Sequence, residues 1–296
     1  MSSVRLSILV AFGLGIAICT QPPRVDQIVH VEEMQNIING HRPYNPSTAT
    51  NIKHAYFAAL SNGPFLSEFS RMLRAFNQRL FPYSEDAFCE SKKQAIFCGA
   101  TIIGSRWILT AAHCAVGKTK PFHVLVGASC RFCFEDAYEV KRIIFPTRYD
   151  RPSLDRDLAI LELKESIVFN SAVQPIPLSS AVMPEHTPVQ IIGFGRTGFH
   201  EKGSEFLLEA NTHIASDCNF SDFNQQRQLC TKNSGSSACK GDSGGPLIRW
   251  IDGTASQIGI TSYSEKDCKG SKNGYTKIKF YCEFIHKNTE GEVSCV

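Results

Sequence analysis

The sequence predicts an all-β fold finished by one C-terminal helix, on three observations. Short runs rich in Val, Ile and Phe recur through residues 81–275, each broken by Gly, Pro, Asn or Asp. That rhythm of brief apolar runs and turn residues belongs to a β-sandwich or to β-barrels, and alone it does not choose between them. Tyr281, Phe284 and Ile285 stand at helical spacing within residues 278–285. Finally, 296 residues with 43% hydrophobic content suffice for one large core or two small ones.

Taken in order, the chain opens on Arg5 and an almost wholly apolar run, residues 6–18, followed by polar, proline-rich sequence. The run is short for a bilayer span and predicts a secretory signal peptide, residues 1–19, with Ala17 and Cys19 as the small residues before cleavage. A signal anchor is the alternative. Residues 20–36 are polar and cysteine-free and read as a propeptide, and residues 37–296 as one domain. Within residues 41–80, Phe65, Leu66, Phe69, Met72, Leu73, Phe76 and Leu80 take helical spacing after the breaker Asn62-Gly63-Pro64. They predict an extra helix, whose apolar stripe belongs in a core more often than on a partner. Strand-like runs follow at residues 95–103, 122–126, 140–145, 190–194, 246–250 and 257–261. A net charge of +3, spread along the chain, leaves no polybasic patch for nucleic acid or a membrane surface.

The chemistry lies in three short motifs. Gly241-Asp242-Ser243-Gly244-Gly245-Pro246-Leu247 sets a serine on a turn flanked by glycines, where backbone can approach a substrate closely. A serine hydroxyl is a weak nucleophile until a histidine takes its proton and a carboxylate orients that histidine. Thr110-Ala111-Ala112-His113-Cys114 offers the histidine and Asp157-Leu158-Ala159-Ile160-Leu161 the carboxylate. Asp155 is the competing carboxylate. The order His, Asp, Ser separates this chain from subtilisin-like and α/β-hydrolase arrangements.

With these motifs in this order, the chain resembles the chymotrypsin-like (trypsin-fold) serine peptidases over residues 81–287, with a short echo at Ile37. The resemblance implies two six-stranded antiparallel barrels with the triad between them, a C-terminal helix, and no cofactor or metal. It implies that His113 is the base, Asp157 its orienting carboxylate and Ser243 the nucleophile, with the backbone N–H groups of Gly241 and Ser243 as oxyanion hole. It also pairs Asp242 with a new N-terminus at Ile37, in Ile37-Ile38-Asn39-Gly40, after activation cleavage. Asn36 precedes that site where the family carries Arg or Lys, which argues against a trypsin-like activator. Residues 41–80 are longer than the family needs there, so the body of the domain is expected to resume near Phe81.

The same resemblance implies the disulfides Cys98–Cys114, Cys218–Cys230 and Cys239–Cys268. Of the twelve cysteines, Cys19 leaves with the signal peptide. Cys89, Cys130, Cys133, Cys282 and Cys295 remain: a bridge from Cys89 to the Cys130/Cys133 loop and one between Cys282 and Cys295 are open options. An odd total leaves one thiol free or bonded to another chain, and Cys130-x-x-Cys133 is a metal or redox motif only as a minor alternative. Counted from the nucleophile, Ser237 falls at the base of the substrate pocket, with Ser262-Tyr263-Ser264 and Asn273-Gly274 as walls. A serine there gives no charge to attract Lys or Arg. If Ser264 and Asn273 both point inward the pocket is shallow; if Gly274 takes the inward place it is deeper.

The expectation is a secreted, monomeric serine endopeptidase made as a zymogen, with chymotrypsin- or elastase-like specificity. Its partners would be polypeptide substrates, an activating protease and protein inhibitors. The alternative is a secreted binding protein on a peptidase scaffold that is never activated. Asn219-Phe220-Ser221 is a glycosylation sequon consistent with export.

Overall fold

The computed structural model describes residues 54–62, 96–118, 122–127, 131, 134–198, 200–232, 236–265, 268 and 272–296. One barrel is built from β1 (Phe57–Ser61), β2 (Ile96–Ile102), β3 (Trp107–Thr110), β4 (His123–Val126), β5 (Asp136–Ile144) and β6 (Ala159–Leu163). Its spatial order is β1-β2-β3-β6-β5-β4, and β4 closes on β1. A second contains β7 (Pro188–Gly193), β8 (Leu208–Ala215), β9 (Gln228–Lys232), β10 (Pro246–Ile251), β11 (Thr254–Ser264) and β12 (Lys272–Lys277). It runs β10-β11-β12-β9-β8-β7 and closes through β10 and β7. All pairs are antiparallel, and closure leaves neither sheet a free edge. The choice left open by sequence is thereby decided for barrels.

β1 corrects the sequence reading. Phe57–Ser61 falls inside residues 41–80, yet it pairs with β2 and β4 and completes the first barrel. All five residues are buried, so the strand shows no polar-apolar alternation. Its two faces serve different cores. Ala58 and Leu60 join the cluster of the first barrel, while Phe57 and Ala59 face a second cluster. That second cluster unites Ile96 and Leu125 of the first barrel with Ile192 and Ile248 of the second. The domain body therefore resumes before Phe81. The helix expected over residues 65–80 lies outside the described residues, as do the signal peptide and propeptide.

The interior of the second barrel is a third cluster, with Ile191, Leu208, Leu229, Leu247, Ile258 and the fully buried Tyr275. A polar tie reinforces the seam between barrels. Just before β1, His54 Nε2 lies 2.6 Å from Glu209 Oε2 on β8, and its Nδ1 lies 2.6 Å from the Tyr56 hydroxyl. Both side chains of the His54–Glu209 pair are almost wholly buried.

The chain has a short helix α1 (Ala112–Ala115) after β3 and a longer α2 (Ile278–Asn288) after β12. Ile278, Tyr281 and Ile285 of α2 bury against the first-barrel cluster, so the end of the chain straps back across the molecule. The three disulfides implied by resemblance are present, Cys98–Cys114, Cys218–Cys230 and Cys239–Cys268. Cys282–Cys295 is also formed and ties α2 to the final residues. Cys89, Cys130 and Cys133 lie outside the described residues.

Candidate active site

Thr110, at the end of β3, pairs with Ala159 at the start of β6. His113 follows β3 on α1 and Asp157 precedes β6, so the antiparallel register alone brings them to the same end of the strand pair. The Cys98–Cys114 bridge holds α1 against β2, and Ala111 and Ala112 are fully buried beneath it. Arg156 takes a left-handed φ of 60°, and Leu158 donates to its carbonyl at 2.8 Å. This tight turn sets the direction of Asp157.

The Asp157 carboxylate is completely buried, which is costly for a charge unless its lone pairs are filled. They are filled. Asp157 Oδ1 accepts the His113 backbone N–H at 2.8 Å, and Oδ2 lies 2.7 Å from His113 Nδ1. Ser262 of β11 donates to Oδ2 at 2.5 Å, and Thr276 of β12 donates to the Asp157 carbonyl at 2.7 Å. The second barrel thus grips the carboxylate of the first. An ionised carboxylate can only accept, so it places the ring proton on Nδ1 and leaves Nε2 as the free base. Asp155 is elsewhere: Arg227 Nε donates to it at 2.7 Å, and it makes no hydrogen bond or ion pair with His113 among the described residues.

Ser243 stands on the turn that leads into β10. Gly99 of β2 donates to the Ser243 carbonyl at 2.8 Å, Gly244 to the Thr261 carbonyl at 2.7 Å and Gly245 to the Asp242 carbonyl at 3.0 Å. Gly244 needs to be glycine: its φ is 81°, and a Cβ would lie 2.2 Å from Thr110 Oγ1 and 2.4 Å from the Gly99 carbonyl. The Cys114 sulfur lies 3.6 Å from the Ser243 carbonyl and 3.7 Å from His113 Nε2, so serine and histidine flank one disulfide. Among the described residues no hydrogen bond joins the Ser243 hydroxyl to His113. In the absence of substrate such bonds are often long and tighten later.

Asp242, beside Ser243, points the opposite way into the second barrel. Gly195 and Cys239 donate backbone N–H groups to its carboxylate at 2.8 and 2.9 Å. Gly193 and Gly195 make the room, since a Cβ on either would lie 2.0 or 2.3 Å from carboxylate atoms. Burial raises the carboxyl from 3.8 to about 6, against the opposing pull of those two N–H groups and of the Arg131 guanidinium. Arg131 is itself held by the carbonyls of Phe194 and Ile96. Ile37, the expected partner of Asp242, lies outside the described residues.

At the predicted pocket, Ser237 and Asn273 are buried and touch: the serine hydroxyl donates to Asn273 Oδ1 at 2.8 Å. Ser264 pairs across the ladder with Asn273, and Tyr263 with Gly274. A Cβ on Gly274 would run into the Tyr263 ring at 2.2 Å, so that face of β12 is closed by the tyrosine. Side chains alternate along a strand, so Asn273 takes the opposite face, with Ser237. Ser262, expected as pocket wall, spends its hydroxyl on Asp157.

The trypsin family model matches residues 74–285. The chain belongs to the trypsin family. Among trypsin-family relatives it is 32% identical to Chymotrypsin-2 of Vespa crabro over 198 residues, 65% of this chain and 88% of that protein. Trypsin 5G1 of Aedes aegypti is 32% identical over 177 residues, covering 56% of this chain and 65% of the relative. Tissue-type plasminogen activator of Rattus norvegicus is 30% identical over 244 residues, 70% of this chain and only 42% of its own length. The family is one of serine endopeptidases, and its two-barrel architecture is the one found here.

Within this trypsin-family frame, sequence reading missed Thr276, Arg131, Gly193 and Gly195. Each contributes through a few polar atoms or a missing Cβ, with no motif around it to mark the contact. Cys98, His113 and Cys114 place possible ligand atoms within 4.8 Å of one another. Both sulfurs are committed to the disulfide and offer no thiolate to a metal.

Proposed function

We propose that the protein is a secreted serine endopeptidase, made as a zymogen, that cleaves polypeptides through an acyl-enzyme on Ser243. The observation that carries this reading is the double attachment of His113 to a buried Asp157 beside the serine turn. Ser243 Oγ attacks the scissile carbonyl carbon, and its proton passes to His113 Nε2. The imidazolium then gives that proton to the leaving amine as the C–N bond breaks. Water attacks the resulting ester, loses a proton to Nε2, and Ser243 recovers it as the acid product departs. Asp157 keeps Nε2 available and stabilises the imidazolium between steps.

The negative oxygen of the tetrahedral intermediate is held by the backbone N–H groups of Gly241 and Ser243. Gly241 has the positive φ, 104°, that such a turn demands. One donor of this kind is worth about 3–4 kcal/mol in the transition state. Cleavage after Asn36 frees the Ile37 ammonium, which pairs with Asp242 and relieves its buried charge; the signal peptide 1–19 and propeptide 20–36 precede it. The monomer meets an activating protease and protein inhibitors in the extracellular space. Its primary specificity is non-basic, chymotrypsin- or elastase-like, with Ser237, Ser264 and Asn273 around the pocket.

The test uses secreted, active material digesting an unfolded protein substrate. N-terminal sequencing begins at Ile37, and Ser243→Ala abolishes digestion while the protein is still secreted. A different N-terminus removes Ile37 from the pairing. Digestion that survives Ser243→Ala overturns the mechanism, and secreted mature protein with no activity at all favours the binding scaffold.

A further inference from the structure

The turn that carries Asp157 is held under strain. Leu154 and Arg156 both take left-handed φ, 52° and 60°, and neither is glycine. A Cβ disfavours that region, so such residues stay there only where surrounding contacts hold them. Within the loop itself, the bonds that reach Asp155 are long. Asp150 donates its N–H to the Asp155 carbonyl at 3.2 Å, and Asp155 donates its own to Ser153 Oγ at 3.3 Å. Two shorter bonds come from the second barrel, one on each side of Arg156. Arg227 Nε donates to Asp155 Oδ1 at 2.7 Å, and Thr276 Oγ1 donates to the Asp157 carbonyl at 2.7 Å. These two anchors share one frame. The Arg227 carbonyl accepts the N–H of Lys277, the neighbour of Thr276, at 2.8 Å, and the Arg227 N–H donates to the Asn224 carbonyl at 3.0 Å. The guanidinium carbon lies 6.0 Å from the ring centroid of Phe280 on α2. The Arg227 and Asp155 side chains are only 21% and 24% exposed, so solvent and salt screen the pair less than one on the open surface.

Resting on the peptidase reading above, we infer that Arg227 is a positioning residue for the reaction: through Asp155, and together with Thr276, it holds the strained turn that aims the Asp157 carboxylate at His113. Without the guanidinium, the Asp155 carboxylate keeps only the approach of Arg156 Nε at 3.5 Å among the described residues. Leu154 and Arg156 are then free to relax toward ordinary dihedrals. Asp157 follows Arg156 directly and turns with it. Its two bonds to His113, from the backbone N–H and from Nδ1, lengthen, and Nε2 is no longer fixed as the base. Arg227 makes no hydrogen bond or ion pair with His113 or Ser243 among the described residues, so its effect is on aim alone.

The experiment labels secreted protein, processed as proposed above, with an alkyl fluorophosphonate. It reads the rate constant for modification of Ser243, which does not depend on the fraction of the sample that is folded. Arg227→Ala is expected to slow labelling by about tenfold or more, and to weaken the low-field proton resonance of His113 Nδ1–H. Asp155→Ala is expected to match it, and the double variant to be no slower than either, because both remove one interaction. Arg227→Lys keeps the charge and is expected to recover part of the rate. Asp155→Asn is the milder variant for the case in which the alanine proteins are not secreted. It keeps an acceptor for Nε without the charge, and is expected to slow labelling by about threefold or more. A pair that only ties the barrels together would lower the urea midpoint and leave both the rate and the resonance unchanged. That result overturns the inference and leaves the peptidase reading standing. A double variant slowed by the product of the two single effects does the same. A wild type in which Ser243 is not labelled overturns both.

Discussion

Gly99 of β2 lies directly against Gly245 of the serine turn: a methyl on Gly99 would sit 2.9 Å from the Gly245 Cα. The two barrels meet at that point with no side chain between them, and Gly99 uses the closeness to donate to the Ser243 carbonyl at 2.8 Å. Gly99→Ala therefore forces the turn away from β2. We expect kcat/KM to fall at least about tenfold, with a stability loss of about 1–3 kcal/mol from overpacking. Steady-state kinetics and urea denaturation on the same preparation measure both.

Ser262 supplies the only side-chain hydroxyl bonded to the Asp157 carboxylate among the described residues. A hydrogen bond to a charged group is worth about 1.5–3 kcal/mol. Ser262→Ala leaves a buried oxygen short of one donor and His113 less firmly aimed. The expected outcome is a 10- to 100-fold drop, roughly, in kcat with KM little changed, and partial recovery in Ser262→Thr.

The raised carboxyl of Asp242 makes the stability of the chain sensitive to pH. Between 3.8 and about 6 the folded form retains a proton that the unfolded chain has released. Stability is then fully present below that window and falls as pH rises through it. At about 1.4 kcal/mol per unit, the loss approaches about 3 kcal/mol. Asp242→Asn removes that contribution, so the stability difference between wild type and variant changes from pH 4 to pH 7 in urea titrations. On the proposed cleavage after Asn36, an Ile37 ammonium paired with the carboxylate is expected to abolish the fall.

The His54–Glu209 pair, 2.6 Å apart and almost wholly buried, crosses the seam between the barrels. Removing one partner breaks a buried pair, which typically costs about 3–5 kcal/mol. Glu209→Ala should show that loss in chemical denaturation. Replacing His54 and Glu209 together with apolar residues should recover part of it.

Sequence legibility followed how local each feature is. His113, Asp157 and Ser243 each sit in a run of neighbours that shapes its own turn, so each motif could be read without the fold. β1 was missed because Phe57-Ala58-Ala59-Leu60 is buried on both faces and two of its residues are alanines, poor strand formers. The wall of the expected pocket was ambiguous between Asn273 and Gly274 because a one-residue shift exchanges the faces of a strand. Only the pairing of Ser264 with Asn273 and the ring of Tyr263 over Gly274 settle which side chain joins Ser237. Thr276 and Arg131 reach their partners across long stretches of chain, which no local pattern records.

The central claim is that Ser243 is a nucleophile activated by His113. It is tested most directly by treating the processed protein with a fluorophosphonate and locating the adduct by peptide mass mapping. The expected result is one adduct per chain on Ser243, absent in Ser243→Ala and slowed by orders of magnitude in His113→Ala. An adduct on another residue, or labelling of Ser243 as fast without His113 as with it, would contradict the account.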